Sequence, residues 1–310
     1  MIIQGDALTE LKKLDSETID CIITSPPYWA LRDYKVEGQI GQEKTIDEYV
    51  NNLIQIFNEC KRVLKKEGTC WIGLGDTYAG NMGFSEKWAN KKQWHPEEPI
   101  KRNAGLPLKS LCLIPERFAI RMIDNGWILR NKIIWYKPNC MPSSTKDRFT
   151  IDFEYIYFFV KSKKYYFKTQ YEPYSQAGIE RAKYPFGGHN KGIDHNNGRH
   201  FYFTTKKMIP ASALGRIKRT VWKINTKSFP EAHFAVFPEE LVKQCLDAGC
   251  PEQGTVLDPF SGAGTTGLVA IKNHRNYIGI ELNPYYIEIT NKRLKPYLEQ
   301  KTFTSLLNES

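Results

Sequence analysis

Residues 256–267 read Val-Leu-Asp-Pro-Phe-Ser-Gly-Ala-Gly-Thr-Thr-Gly. The apolar start predicts a short buried strand, and the glycines predict a tight turn that leads into a helix over residues 265–272. Because glycine has no Cβ, the backbone of such a turn approaches a bound molecule closely, and the helix start offers free N–H groups. Glu281 closes the next predicted strand, where a carboxylate suits ribose hydroxyls. The pattern therefore predicts a site for an adenosine-type cofactor.

Two other interpretations of this glycine turn stay open. Gly262, Gly264 and Gly267 also satisfy the G-x-G-x-x-G rule of nicotinamide enzymes, and a turn of this kind also occurs without any ligand. A dinucleotide fold needs several more strand–helix units after the turn, whereas the sequence ends at Ser310. We therefore expect strands from earlier in the chain to complete the sheet.

The earlier part of the chain supplies such strands. Hydrophobic patterning predicts strands at 2–4, 20–24, 69–74, 128–135 and 154–160, and helices at 46–64, 115–125 and 238–248. Gly68 is expected to end the first of these helices. Strands that alternate with helices at these lengths are typical of an α/β fold with a mostly parallel sheet.

Two segments depart from this pattern. Residues 78–110 are polar, basic and aromatic without a period, which predicts a long loop. Residues 163–220 are rich in Lys, Arg, Tyr, Gly and Asn, which predicts an inserted region. The main domain is then expected to comprise residues 1–162 and 221–310.

Composition narrows the class of partner. The 310 residues carry a formal net charge of +10, which favours an acidic partner such as nucleic acid. None of the seven cysteines stands in a CxxC pair, so we expect reduced thiols and no metal site. The sequence has no apolar run as long as a membrane span and no signal-peptide pattern at its start. These features predict a cytoplasmic protein with nucleic acid as its partner and with no membrane partner.

A second turn, Thr24-Ser25-Pro26-Pro27-Tyr28-Trp29, follows the predicted strand 20–24. The two prolines stiffen the turn and remove two N–H donors, which leaves the Pro26 carbonyl free to accept hydrogen bonds. The Ser25 hydroxyl adds an acceptor, and the Tyr28 ring offers a flat wall. This arrangement suits an extruded nucleobase that presents an amino group. The alternative is a rigid proline turn beside a core aromatic residue.

The two turns together resemble a known family. TSPPYW resembles motif IV of amino-methylating DNA methyltransferases, and DPFSGAGTT resembles their motif I. Motif IV precedes motif I, with the basic segment between them, which is similar to the β group of this family. The resemblance implies a circularly permuted, Rossmann-like S-adenosylmethionine-dependent methyltransferase fold, with S-adenosylmethionine as cofactor, no metal, and residues 163–220 as the target-recognition region. It also implies a DNA-facing role for the loop 78–110.

The resemblance carries site roles onto residues of this sequence. The motif IV residues implied to be catalytic are Ser25, Pro26, Pro27 and Tyr28. The residues implied to bind the cofactor are Asp6, Phe237, Pro238, Asp258, Pro259, Phe260, Gly262, Gly264, Thr265 and Glu281. Glu281 would hold the ribose, Asp6 would contact the adenine edge, and Asp76 is either a further site residue or a helix cap.

The family resemblance predicts a site-specific DNA methyltransferase of a restriction-modification system that flips its target base out of the duplex. A serine at the first motif position favours the N4 amino group of cytosine, with the N6 amino group of adenine as the alternative. A non-catalytic nucleic-acid-binding protein and an enzyme that methylates RNA or protein are the other classes. The residues expected to contact DNA phosphates are Lys206, Lys207, Arg216, Lys218 and Arg219. A homodimer and a cognate restriction endonuclease are compatible partners, and the recognition sequence is open.

Overall fold

The computed structural model describes residues 1–31, 33–34, 36–80, 104–177, 180, 215–227 and 237–308. The chain divides into two compact units: the larger comprises residues 1–168 and 220–310, and the smaller comprises residues 169–219. Lys206, Lys207 and residues 81–103 of the expected loop lie outside the described residues.

The larger unit contains an eight-stranded sheet. Its strands in chain order are β1 (Ile2–Gln4), β2 (Ile19–Thr24), β3 (Leu64–Leu74), β4 (Ile128–Tyr136), β5 (Phe153–Val160), β8 (Val221–Lys223), β9 (Thr255–Asp258) and β10 (Asn276–Glu281). They lie side by side in the order β1-β10-β9-β2-β3-β5-β4-β8. The carboxyl-terminal strands β9 and β10 therefore lie between β1 and β2. This agrees with the expectation that strands from earlier in the chain complete the sheet around the glycine turn.

Strand direction determines where the loops meet. β5 runs antiparallel to its neighbours β3 and β4, and every other neighbouring pair in this sheet is parallel. The carboxyl ends of β1, β2, β3, β4, β9 and β10 consequently lie at one edge, together with the start of β5. In open α/β sheets this edge is where ligands bind.

Helices cover both faces of the sheet. They are α1 (Ala7–Leu11), α2 (Ile46–Val63), α3 (Ile114–Asp124), α4 (Glu239–Gly249), α5 (Thr265–Lys272) and α6 (Pro284–Asn308). α2 begins with a capping box, in which Thr45 and Glu48 exchange side-chain hydrogen bonds with each other's backbone N–H. α1, α2 and α3 contribute to the hydrophobic core on one face, and α4, α5 and α6 contribute to that on the other.

The central strands are buried on both faces. In β3, Cys70 and Ile72 belong to one core cluster and Trp71 belongs to the other. Trp71 stacks on Phe158 of β5, with ring centroids 4.1 Å apart. Burial on both faces explains the continuous apolar runs in the sequence.

The prediction that Gly68 ends α2 is wrong. The helix ends at Val63, and Leu64 already has an extended backbone (φ −70°, ψ 134°) and begins β3. Gly68 lies inside β3, where a Cβ would lie 2.6 Å from the Leu64 side chain and 3.1 Å from the Asp20 carbonyl oxygen. Close packing against Leu64 and against the Asp20 carbonyl of β2 favours glycine there, so Gly68 marks a strand contact and not a helix end.

The smaller unit contains a two-stranded antiparallel ribbon. Its strands are β6 (Tyr171–Glu172) and β7 (Arg216–Ile217). Glu172 accepts from Arg216 Nε at 2.8 Å and from Arg219 Nε at 2.7 Å. Two of the arginines expected to contact DNA therefore share one carboxylate, with side-chain exposures of 36% and 69%.

Candidate active site

The proline turn and the glycine turn meet because their strands are neighbours. Cys21 and Ile22 of β2 pair in parallel with Val256 and Leu257 of β9. Thr24, the last residue of β2, donates a 2.6 Å hydrogen bond to the buried Asp258 at the end of β9. Two motifs more than 200 residues apart in the sequence are thereby joined at their first residues.

A cavity of about 300 Å³ opens at this edge of the sheet. Of the residues implied to act in catalysis or cofactor binding, those that line it are Asp6, Ser25, Pro26, Pro27, Tyr28, Phe237, Asp258, Pro259, Phe260, Gly262, Thr265 and Glu281. Pro238 and Gly264 do not line it. Pro238 stands at the N-cap of α4, one residue before its first helical turn.

The Glu281 carboxylate faces the glycine turn. It accepts the Gly262 N–H at 2.7 Å and the Asn283 N–H at 2.8 Å, one on each oxygen. Burial raises the pKa of this carboxyl, and the two backbone N–H groups oppose that rise. Each carboxylate oxygen has a second lone pair, so ribose hydroxyls remain acceptable partners.

Gly264 is required by packing against α6. Its backbone is left-handed (φ +73°), and a Cβ there would collide with the Thr290 side chain. The Thr290 hydroxyl in turn donates to the Gly262 carbonyl at 2.9 Å. Gly262 is also left-handed (φ +50°), but a Cβ there would meet only the Phe260 carbonyl oxygen, at 4.0 Å. Of the two glycines, Gly262 is the one whose missing side chain leaves the cavity open.

Asp258 is the buried acid of the site. Its Oδ1 accepts from the Thr24 hydroxyl at 2.6 Å and from the Phe260 N–H at 3.1 Å. Burial raises the pKa of this carboxyl to about 6, while hydrogen bonds from Thr24, Thr266 and Phe260 act in the opposite direction.

Asp6 both caps α1 and lines the cavity. Its Oδ1 accepts from the Thr9 N–H at 2.9 Å and from the Thr9 hydroxyl at 2.8 Å. Because both bonds fall on one oxygen, the other oxygen is available to a ligand in the cavity. The adenine contact expected for Asp6 is compatible with this geometry and stays a prediction.

The proline turn is held from outside the motif. The Tyr49 hydroxyl of α2 donates to the Pro27 carbonyl at 2.8 Å, and the Tyr28 hydroxyl donates to Glu154 of β5 at 2.8 Å. Burial raises the pKa of Tyr28 well above its usual value, and the Glu154 carboxylate raises it further. The Tyr28 ring is therefore a neutral phenol in a fixed place.

Sequence reasoning missed several residues at the cavity. Lys137, the residue after β4, and Glu154 of β5 line it. The segment 31–40 provides the lining residues Leu31, Tyr34, Val36, Gly38, Gln39 and Ile40. A Cβ on Gly75 would lie 2.5 Å from the Tyr28 ring, and one on Gly73 would collide with the Phe237 ring. The alternating glycines of Gly73-Leu74-Gly75 were the available signal, since residues two apart on a strand point to the same side.

The structure shows Asp76 to be a helix cap. Its carboxylate accepts from the N–H groups of Leu113 and Ile114, at 2.9 and 3.1 Å, where α3 begins. Leu113 itself has a left-handed backbone and makes no side-chain cap. Asp76 is absent from the cavity lining.

The residues present fit S-adenosylmethionine. One end of the cavity has the Asp258 and Glu281 carboxylates, which suit the ammonium and ribose hydroxyls of that molecule, and Phe237, Phe260 and Ile280 supply apolar walls. No group of side chains suited to a metal ion occurs among the residues that the structure describes. Within those same residues, no helix is long and apolar enough to cross a membrane.

Comparison with known proteins decides the family. A model of DNA methylases with N6 or N4 specificity matches residues 19–292, a range that contains both turns. The chain belongs to this DNA methylase family.

Individual relatives agree with that assignment. The methylase is 39% identical to the Type II methyltransferase M.XycI of Xanthomonas campestris pv. cyanopsidis, over 95% of this chain and 87% of the relative. It resembles the solved PvuII DNA methyltransferase, which is cytosine-N4-specific, with a TM-score of 0.62, at 21% identity and over 94% and 85% of the two chains. It also resembles TTHA0409 of Thermus thermophilus, a putative DNA modification methylase solved with S-adenosylmethionine, with a TM-score of 0.57, at 21% identity and over 96% and 93% of the two chains.

These likenesses confirm the predicted fold class. The methylase has the Rossmann-like, mostly parallel α/β fold of S-adenosylmethionine-dependent DNA methyltransferases. The match to the DNA methylase family also confirms the coarse function predicted from the sequence, and with it the S-adenosylmethionine cofactor.

Proposed function

We propose that this DNA methylase transfers a methyl group from S-adenosylmethionine to the N4 amino group of a cytosine that has been flipped out of duplex DNA. The proposal rests on one observation: Ser25–Tyr28 and the turn that begins at Asp258 line the same cavity, and the hydrogen bond from Thr24 to Asp258 holds the two turns together. A cofactor on the glycine turn and a base against the proline turn would then share that cavity. Ser25, at the first motif position, favours cytosine.

The cofactor supplies an activated methyl group on a sulfonium, so the protein needs to orient the amine and the sulfur in line. The amine is a weak nucleophile because its lone pair is delocalised into the ring. The Ser25 hydroxyl and the Pro26 carbonyl would accept its two N–H groups and turn the lone pair toward the methyl group. The Tyr28 ring would stack on the base and fix its plane. Ser25 is a poor base, so the amine nitrogen would lose a proton to water after it has gained the methyl group.

DNA would be held by the basic surface, with Lys206, Lys207, Arg216, Lys218 and Arg219 at phosphates and residues 163–220 reading the target. The Type II relatives support a place in a restriction-modification system.

The test is to incubate unmethylated DNA with the purified protein and labelled cofactor, digest to nucleosides, and identify the product by mass spectrometry. We expect N4-methylcytosine as the product. N6-methyladenine alone would overturn the choice of base, and no methylated base on any DNA would overturn the proposed function.

Ser25→Ala should lower the rate of methyl transfer strongly. Ser143 is an exposed serine in the β4–β5 loop, and Ser143→Ala should leave the rate unchanged.

A further inference from the structure

A chain of three side chains forms one wall of the cavity. The Tyr28 hydroxyl donates to Glu154 Oε2 at 2.8 Å, and the Lys137 ammonium pairs with Oε1 of the same carboxylate. Resting on the proposed function, we propose that Glu154 and Lys137 are positioning residues, which hold the Tyr28 ring where the target base must stack.

The first argument is that the Tyr28 ring is fixed on several sides. Its hydroxyl is bound by Glu154, the preceding carbonyl of Pro27 is held by Tyr49, and its ring edge lies against the backbone of Gly75. A ring used only to fill the core would not need a charged acceptor at its tip. The bond at the hydroxyl fixes the end of the ring and the close approach of Gly75 limits its rotation, so the two together set the plane against which a base would stack.

The second argument concerns the charge of Glu154. Its side chain is 21% exposed and that of Lys137 is 16% exposed, so each charge needs the other. An ionised carboxylate only accepts hydrogen bonds, which makes the Tyr28 hydroxyl the donor. Lys137 thus balances the charge of the carboxylate that accepts the Tyr28 hydroxyl.

The third argument is that Lys137 is itself fixed. Its ammonium lies 4.5 Å from the centroid of the Trp135 ring, within the range of a cation–π contact. Trp135 pairs with Glu154 across β4 and β5. The sheet therefore presents Trp135, Lys137 and Glu154 as one rigid group at the edge where the proline turn lies.

A misplaced base still binds but reacts slowly, because methyl transfer needs alignment of nitrogen, carbon and sulfur. Loss of these positioning residues should therefore lower the rate of the chemical step and leave cofactor affinity unchanged. A displacement of the order of 1 Å lowers such rates by about 100-fold.

The experiment uses the full-length protein and the variants Tyr28→Phe, Glu154→Met, the double variant, and Lys137→Met. Methionine is chosen at position 154 because it has no oxygen to accept the Tyr28 hydroxyl. Single-turnover methyl transfer, DNA affinity, calorimetric cofactor affinity and melting temperature are measured for each. We expect Tyr28→Phe and Glu154→Met each to slow transfer by about 10-fold to 100-fold. The double variant should be no slower than the slower single variant, because both remove one hydrogen bond.

A purely structural role for Glu154 would give a different result. The fold-reduction in rate caused by loss of Glu154 would then multiply with the fold-reduction caused by Tyr28→Phe in the double variant. Alternatively, the reductions in rate would track the reductions in melting temperature. Either outcome would overturn the proposal. The matched control is Glu116→Met, which breaks the pair with Lys132 at 2.6 Å, away from the cavity lining, and should not change the rate. If wild-type protein methylates no base, the proposed function fails. If it methylates DNA and Glu154→Met is equally fast, only the positioning role fails.

Discussion

Gly262 and Gly264 stand two residues apart in the same turn but meet different surroundings. Both have left-handed backbones, and the missing Cβ of Gly264 faces Thr290 while that of Gly262 faces open space. A valine at 264 would therefore disturb the fold as well as the cofactor, so position 262 is the cleaner probe of the expected cofactor site.

We expect Gly264→Ala to lower the free energy of unfolding by more than Gly262→Ala, for which left-handed backbone strain alone costs about 1–2 kcal/mol. Gly262→Ala should weaken S-adenosylmethionine binding in a folded protein, as measured by calorimetric titration. Thr290→Ser keeps the hydroxyl bond to Gly262 and removes the methyl, so it should restore part of the stability of Gly264→Ala in urea unfolding. Equal stability of the two glycine variants would contradict this account.

Asp258 makes stability depend on pH. Burial raises its folded pKa from 3.8 to about 6, so the folded protein holds this proton more tightly than the unfolded chain. Its contribution to stability is thus fully present below pH 3.8 and is lost as pH rises through about 6. Urea unfolding should therefore show that the free energy of unfolding falls as pH rises from 3.8 to about 6. In Asp258→Asn the free energy of unfolding should fall less over the same pH range.

Asparagine is a suitable control at this position because its amide oxygen can still accept from Thr24 and Phe260. Burial raises the pKa values of Asp76 and Glu281 in the same direction, so the difference between wild type and variant isolates Asp258. An identical pH profile for both proteins would refute the assignment.

At the scale of elements, α3 depends on a residue outside it. Asp76, just after β3, satisfies the first N–H groups of the helix, and this contact links the end of β3 to the helix that precedes β4. β4 carries Trp135 into the cavity wall. Asp76 therefore supports the site through the placement of elements and not through contact with a ligand.

Asp76→Ala should lower the free energy of unfolding by about 1–2 kcal/mol, as loss of a helix cap does. Asp76→Asn keeps one acceptor oxygen and should lower the free energy of unfolding by less than Asp76→Ala does. Urea unfolding measures both changes. Calorimetry should show unchanged cofactor affinity in the folded Asp76→Asn protein, and a large drop in affinity there would make Asp76 a ligand-binding residue after all.

At the scale of the whole molecule, the excess of positive charge implies that the affinity for DNA falls as the salt concentration rises. Arg216 and Arg219 are partly neutralised by Glu172, so their substitution would also break ion pairs within the smaller unit. Each phosphate that a lysine or arginine neutralises contributes about 0.9 to the slope of log affinity against log salt.

Joint replacement of Lys206, Lys207 and Lys218 by glutamine should lower that slope by about 0.9 for each phosphate that is no longer neutralised. Gel-shift titrations over a range of salt measure it. Replacement of Lys13 and Lys295, exposed lysines of the larger unit, serves as the control and should leave the slope unchanged. A slope that stays constant in the triple variant would place the DNA path elsewhere, with residues 78–110 as the next segment to test.

Local sequence determined the two turns, the class of fold and most helix and strand positions. Prolines, glycines and apolar periodicity act over a few residues, so the positions of the turns TSPPYW and DPFSGAGTT follow from the local sequence. Helix α5 was predicted at its observed bounds, Thr265–Lys272, from the same local pattern.

Tertiary structure decided which distant residues meet. Parallel strand pairing of β2 with β9 joins Thr24 to Asp258, and the antiparallel β5 brings Glu154 to Tyr28, across 234 and 126 residues of sequence. It also decided that Gly68 and Gly264 serve close packing and that Asp76 caps α3. Such roles depend on which atoms lie opposite a residue, and that is fixed only when the strands pair and the helices pack, because a local pattern holds no information about its partner.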